Sequence, residues 1–406
     1  MNRSYCSLAW LGITTDPDGS LRPCCVSSDK ILKDDGSTYN LGVDKLDTIY
    51  NSNFYKNLRQ KMLDGEYIPG CETCYSNEKY GRESRRLINN DLFSNQNFTD
   101  TQAELKIQYL DIRLGNQCNL KCRMCSPANS SMIEEEFIQN PLPVLDRFYL
   151  KNEITVKDWF ETETFDDNIN PQISNLVTIY MTGGEPTLIK KNYDIMQRLI
   201  DTGQNSKVTL IINTNMTNTN YKFYDLIKRF NKVIIQMSID AIGDLATYIR
   251  YPTEFKTVDK TINDLLSLGN NITLRAGPVI QVLNLNKLVD MFEYFESFNR
   301  KHKKQVIDIR PGFVFMPEYN NIVYLPKEYK IECYRKVYMW MLEKCQYQSQ
   351  QFKNTINALK GKCYEDSLDV SKIKDFLEFN TALDNIRNMS LENNNIELYE
   401  AIKHYA

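Results

Sequence analysis

Histidine is nearly absent: the 406 residues contain 2, His302 in a charged run and His404 close to the end. A histidine-based catalytic triad and a histidine-rich zinc site are therefore close to excluded. An excess of basic charge is also missing, since Lys+Arg 49 against Asp+Glu 52 leaves a formal net charge of -3. Such a chain offers no broad cationic surface for bulk nucleic-acid binding. No apolar run approaches the roughly 20 residues of a membrane-spanning helix. The apolar stretch within residues 1–12 is too short for a secretory signal. The expected location is cytoplasmic, with no membrane partner. Glycine (16) and proline (13) are sparse, so each glycine cluster is informative.

What is plentiful is cysteine, 11 residues at tight local spacings. In a chain without a secretory signal the thiols are expected to be reduced, which favours metal or cluster ligation over a disulfide framework. A hydrophobic fraction of 42% is enough for a substantial core. At about 150 residues per domain the length suggests two to three domains.

Between about residues 107 and 310, short β-branched runs alternate with stretches whose apolar residues recur at helical spacing. The runs are 107–114, 177–181, 208–212, 233–239, 272–274 and 306–309, and helix faces lie between them, for example Ile195, Met196, Leu199 and Ile200. Strands that are apolar throughout belong to a parallel sheet covered by helices on its outside. Six such units are too few to close an eight-stranded barrel, so the expected fold class is α/β, a curled and partly open barrel. Residues 126–175 interrupt the first crossover and read as a helical insertion. Ahead of the barrel, 11–15 and 21–26 flank Asp16-Pro17-Asp18-Gly19, a hairpin signature, and one helix is predicted over 46–63, ended by Gly65. From 327 to the end the pattern is helical. The acidic run Glu134-Glu135-Glu136 and the basic run 300–304 read as solvated faces.

The strongest signal is Cys118-Asn-Leu-Lys-Cys122-Arg-Met-Cys125, three thiols in one loop directly after the first predicted barrel strand. Three thiolates can hold three irons of a [4Fe–4S] cubane and leave the fourth iron open, whereas closed electron-transfer clusters take four cysteines. After the second strand comes Thr182-Gly183-Gly184-Glu185-Pro186. Paired glycines let the backbone approach a ligand closely, and a carboxylate suits a cationic amine.

Together these motifs resemble the radical S-adenosylmethionine (SAM) superfamily, whose CxxxCxxC loop occupies this place on a partial (β/α)6 barrel. The resemblance implies that Cys118, Cys122 and Cys125 hold the SAM cluster. It implies that Gly183, Gly184, Glu185 and Pro186 receive the methionine amine of SAM. Asn213 or Asn215 would face the ribose, Ser238 the carboxylate with Arg250 as a further partner, and Met124 and Val282 would pack on the adenine.

Cys6 is followed after twelve residues by Gly19 and after four more by Cys24, with Cys25 adjacent, and then by Cys71-Glu-Thr-Cys74. This set resembles the SPASM/twitch auxiliary-cluster module, which usually follows the barrel but here precedes it. The set lacks the cysteines of a second auxiliary cluster, so the one-cluster twitch type fits. Cys6, Cys24, Cys71 and Cys74 are the expected ligands, with Cys25 spare or alternate. Spacing alone leaves open whether these four thiols hold zinc or a second [4Fe–4S] cluster. Cys333, Cys345 and Cys363 read as small core hydrophobes.

The domain reading is a cysteine-rich hairpin and helix module over 1–80, the partial barrel over 105–315 and a helical C-terminal region over 326–406. As the resemblance implies, reductive cleavage of SAM gives a 5′-deoxyadenosyl radical that abstracts hydrogen from a substrate. The electron donor would be a flavodoxin or ferredoxin, and the substrate a peptide or protein side chain. The alternatives are dehydrogenation or rearrangement of a small molecule and, further off, a non-catalytic metal-scaffolded binding module.

Overall fold

The apolar runs become strands in a computed structural model that describes residues 4–149 and 158–405. In chain order they are β1 (Gly12–Thr15), β2 (Leu21–Arg22), β3 (Tyr109–Arg113), β4 (Lys121–Cys122), β5 (Thr178–Thr182), β6 (Thr209–Thr214), β7 (Lys232–Met237), β8 (Arg250–Tyr251), β9 (Ile272–Ala276), β10 (Val279–Ile280), β11 (Ile307–Ile309) and β12 (Gly312–Phe313). Two units share them. One comprises Met1–Gln117, Thr155–Asn213 and Asn220–Ile234, the other Cys118–Ile154, Thr214–Thr219 and Ile235–Ala406.

In the first unit the sheet order is β7-β6-β5-β3-β1-β2, all parallel in the registers seen except the β1–β2 hairpin. β7 runs on into the second unit, where the order is β11-β9-β7. The order is open at both ends, as expected of a partial barrel. The buried apolar positions of the strands include Leu110, Ile112, Ile179, Met181, Leu210 and Ile212. Helix Lys190–Asp201 buries Ile195, Met196, Leu199 and Ile200, the face read from the sequence.

Three findings go beyond or correct the sequence reading. First, β1 pairs in parallel with β3, with Gly12 opposite Tyr109 and Thr14 opposite Asp111, so the amino-terminal hairpin extends the sheet. Second, the single helix predicted over 46–63 is two, Leu46–Tyr50 and Asn53–Asp64. The break falls at Ser52, whose side chain accepts a hydrogen bond from the Tyr55 amide and so starts a new helix. Gly65 ends the second helix at φ 75°, as predicted. Third, the Glu134–Glu136 run is not a solvated face: Glu134 is 4% and Glu136 3% exposed. Glu136 lies on helix Ser131–Gln139 and pairs with Lys121 at 3.1 Å and Arg387 at 2.6 Å.

The insertion is helical as expected, with Ser131–Gln139, Pro143–Phe148 and Glu163–Ile169; its residues 150–157 lie outside the described ones. The C-terminal region consists of helices Lys327–Lys344, Gln350–Tyr364, Val370–Arg387, Leu391–Asn394 and Ile396–Ile402. Cys333 and Cys363 are buried in it and Cys345 is half-buried. Among the described residues no helix is long and apolar enough to cross a membrane.

Candidate functional site

In the first unit, Cys6, Cys24, Cys71 and Cys74 line one cavity, walled by Leu58, Met62 and Ile68 and edged by Arg85 and Arg86. Cys71 ends a one-turn 3-10 helix begun by Pro69, and Cys74 stands in the first turn of helix Glu72–Lys79. The CxxC spacing thereby sets both thiols on one side of a helix start. Burial pushes the Cys6 thiol up to about 12, with Cys74 and Cys71 adding to the rise. The same burial, helped by Cys74, takes Cys71 to about 12. Thiols held neutral in this way ionise when a cation binds among them, because metal ligation requires the thiolate. A four-thiol set lining one largely apolar cavity can hold an iron–sulfur cubane.

Cys25 is absent from that wall and is grouped instead with Asp111, Arg85 and Arg113. Asp111 is fully buried, and neither of its carboxylate oxygens is hydrogen-bonded to a nitrogen or oxygen among the described residues. Burial pushes its carboxyl up, opposed by the charges of Arg113 and Arg85 and by the Cys25 thiol. Tyr180 stands opposite Asp111 in the β3–β5 register, and the Arg85 guanidinium lies 5.5 Å from the Tyr180 ring. Arg85 also donates to the Tyr109 hydroxyl at 3.2 Å. The sequence reading missed this set. Its signal was the alternation Tyr109, Asp111, Arg113 within an otherwise apolar run, which places three polar side chains on one sheet face.

The glycine pair is also built in the first unit. Gly183 and Gly184 have φ of 80° and 54°. A Cβ on Gly184 would stand 2.3 Å from the Gln117 carbonyl oxygen, and one on Gly183 2.5 Å from Arg113 Cβ. The Glu185 amide donates to the same Gln117 oxygen at 2.8 Å. The loop is thus pressed against the segment that leads into Cys118. Glu185 is 1% exposed, and its Oε1 accepts from the Thr187 amide at 3.2 Å and hydroxyl at 2.6 Å. Pro186 opens the following 3-10 turn. Asn213 reaches Thr182 Oγ1 at 3.5 Å.

The second unit holds the cysteine loop. Ser130 Oγ donates to the Leu120 carbonyl at 2.7 Å, the Cys118 amide donates to Ser131 Oγ at 3.2 Å, and the Cys125 amide to the Cys122 carbonyl at 3.0 Å. Cys122 lies in β4, which pairs antiparallel with β8 so that Cys122 faces Arg250. Arg250 donates from Nε to Asp240 at 2.7 Å, and its Nη1 stands 3.6 Å from Cys122 Sγ. Burial pushes the Cys125 thiol far up, and the neighbouring Cys122 and Cys118 add to the rise. Met124 is half-buried. Asn215 braces the loop, donating to Asn119 Oδ1 at 2.8 Å and accepting from Thr217 Oγ1 at 2.6 Å. The Ser238 amide donates to the Thr214 carbonyl at 2.9 Å, and Val282 is buried.

Residues 112–295 match the family model of the Radical SAM superfamily, and residues 6–75 match that of the iron-sulfur cluster-binding domain SPASM. No curated protein matches the chain. Among solved structures the chain is similar to native anSMEcpe with bound AdoMet, at 15% identity and a TM-score of 0.38, over 56% of this chain and 59% of that one. It is also similar to SuiB of Streptococcus suis bound to S-adenosylmethionine, at 12% identity and a TM-score of 0.38, over 74% of this chain and 62% of that one. Less than two thirds of either neighbour's length is covered. With its CxxxCxxC loop, its Gly-Gly-Glu turn and its amino-terminal four-cysteine cavity, the chain belongs to the radical SAM superfamily and carries a SPASM iron–sulfur domain, and its cofactors are [4Fe–4S] clusters and SAM.

Proposed function

We propose that the chain cleaves SAM reductively and abstracts hydrogen from a peptide or protein side chain. The observation that carries the reading is the grouping of Cys118, Cys122 and Cys125 within one loop braced by Ser130, Ser131 and Asn215. Three thiolates from one loop leave one corner of a cubane for SAM. A cluster held there would supply one electron to the SAM sulfonium, breaking its C5′–S bond to give methionine and a 5′-deoxyadenosyl radical.

The chain's own residues bind, orient and shield. Gly183 and Gly184 keep their backbone free of side chains against residues 113–117, and the buried Glu185 supplies a carboxylate for the methionine amine. Cys6, Cys24, Cys71 and Cys74 hold the second cluster, and Arg85 at the edge of their cavity joins the buried Asp111 and Tyr180 in a polar group. The electron enters from a flavodoxin or ferredoxin. Peptide is the substrate class to test first: among the neighbours, SuiB has been solved with precursor peptide SuiA and anSMEcpe with a Kp18Cys peptide.

The test is anaerobic incubation of the reconstituted chain with SAM and dithionite, reading 5′-deoxyadenosine by chromatography and peptide mass by spectrometry. Wild type should form 5′-deoxyadenosine and the Cys118, Cys122, Cys125→Ala chain none. Nucleoside formed equally by the triple variant refutes the reading. Turnover of small alcohols with every peptide unchanged transfers the proposal to small-molecule dehydrogenation or rearrangement.

A further inference from the structure

We propose that Arg250 sets the reduction potential of the loop cluster by donating an N–H···S hydrogen bond to Cys122, with Asp240 as the positioning residue that fixes its guanidinium. The inference rests on the reading that Cys122 is a cluster ligand, and it differs from the role in SAM carboxylate binding that the sequence resemblance implies for Arg250.

Geometry makes the contact a built one. β4 and β8 are two residues each, and their register sets Cys122 directly opposite Arg250, so the two side chains leave the ladder on the same face. The guanidinium presents its donors as a rigid planar fork. Two of its nitrogens, Nε and Nη2, both stand 2.7 Å from Asp240 Oδ2. With those two nitrogens committed, the plane of the group is fixed, and Nη1 lies 3.6 Å from Cys122 Sγ, a hydrogen-bonding distance for sulfur. Asp240 cannot swing away to follow another partner. Its Oδ1 accepts from the Val279 amide at 2.7 Å, and its carbonyl accepts from Asn284 Nδ2 at 2.9 Å. Asp240 is 1% exposed and the Arg250 side chain 15%.

The consequence is electrostatic. Adding an electron makes a thiolate-ligated cluster more negative, in a site where burial disfavours negative charge. A donor aimed at a ligand sulfur stabilises the reduced form and raises the potential. The carboxylate of Asp240 offsets most of the guanidinium's net charge, so the directed N–H acts at the sulfur without a full uncompensated cation beside it.

The experiment is an EPR-monitored redox titration of the reconstituted full-length chain in the absence of SAM, with iron per chain measured on the same samples. The Cys118, Cys122, Cys125→Ala chain identifies which signal belongs to the loop. Arg250→Gln should lower the midpoint so that at a fixed potential the reduced-to-oxidised ratio falls about tenfold, equivalent to about 59 mV for one electron. Arg250→Lys, which keeps the charge and loses the fork, should shift the same way by less. A wild-type midpoint in Arg250→Gln at normal iron content overturns the proposal, and a loss confined to SAM affinity returns Arg250 to the carboxylate role. Where Arg250→Gln takes up no iron, Arg250→Lys decides by the same criterion. A loop signal that survives the triple variant refutes the ligand assignment itself, a failure distinct from an unchanged midpoint.

Discussion

Arg123, which stands between Cys122 and Met124 in the cysteine loop, is paired with Asp384 on the C-terminal helix Val370–Arg387. The guanidinium is fully buried. It also lies 3.7 Å from the centre of the Tyr248 ring, donates to the Tyr248 carbonyl at 2.8 Å and reaches Asn380 Oδ1 at 3.0 Å. One turn further along the same helix, Arg387 pairs with Glu136, which also holds Lys121 of the loop. The C-terminal region, to which the sequence assigned no chemistry, thus clamps the loop at both Lys121 and Arg123.

Breaking that clamp is expected to loosen the cluster before it unfolds the chain. Asp384→Ala leaves a buried guanidinium without its counter-charge, a loss of about 3 kcal/mol for a pair of this kind. The expected result is a lower melting temperature and fewer irons per reconstituted chain, with Asp384→Asn intermediate because it retains an acceptor. Iron content equal to wild type in Asp384→Ala would show that the loop holds its shape without the helix.

Glu136 gives the clamp a pH dependence. Burial tends to raise its carboxyl, but the hydrogen bonds and charge of Arg387, with Lys121, outweigh that and hold it below the ordinary glutamate range. A depressed folded-state value means that the unfolded chain takes up the proton first as pH falls. The stabilisation is therefore complete above about pH 5 and drains away below the ordinary glutamate value near 4.3. Denaturant unfolding between pH 7 and about pH 3 should show a shallower loss of stability in Glu136→Gln than in wild type. Parallel curves for the two chains would count against the linkage.

Much of the scaffold was legible because its signals are local. Each of the six barrel strands announced itself by a run of apolar residues, and the cysteine and Gly-Gly-Glu motifs are contiguous in sequence. What escaped depends on distant partners. Glu136 looked like part of a solvated acidic run because Arg387 stands 251 residues away. The addition of β1 to β3 gives no sign in a run as short as Gly12–Thr15. The family resemblance implied a SAM role for Arg250, but its approach to Cys122 depends on a two-residue ladder that no periodicity reveals. The break at Ser52 was visible in principle, since serine ahead of a helical run is a start signal, but the unbroken apolar pattern masked it.

Gly184 should be intolerant of even one carbon. An alanine there must adopt a left-handed φ of 54° and place its Cβ 2.3 Å from the Gln117 carbonyl oxygen. The conformation alone costs about 1–2 kcal/mol, and the backbone contact forces residues 116–117 or the glycine turn to move. Gly184→Ala should retain its circular dichroism spectrum yet bind SAM at least tenfold more weakly by calorimetry. Unchanged SAM affinity would mean that the turn serves packing and not the cofactor.

Asp111 separates stability from function in the other direction. Its carboxyl is raised by burial, so in the folded chain the charged form is disfavoured relative to the unfolded one. Sign and window follow: this group's contribution to stability improves as pH falls through its raised folded value towards the ordinary aspartate value near 3.9, and above that window the ionised form is a cost. Asp111→Asn removes the cost while keeping the shape, so its melting temperature at pH 7 should equal or exceed that of wild type. If the Asp111 carboxylate, which accepts from the Cys25 thiol, also receives a substrate's N–H or O–H, the same variant should still form 5′-deoxyadenosine from SAM and dithionite while coupling less of it to substrate turnover. A melting temperature well below wild type would instead identify Asp111 as the structural counter-ion of Arg85 and Arg113, because only that role requires its negative charge for folding.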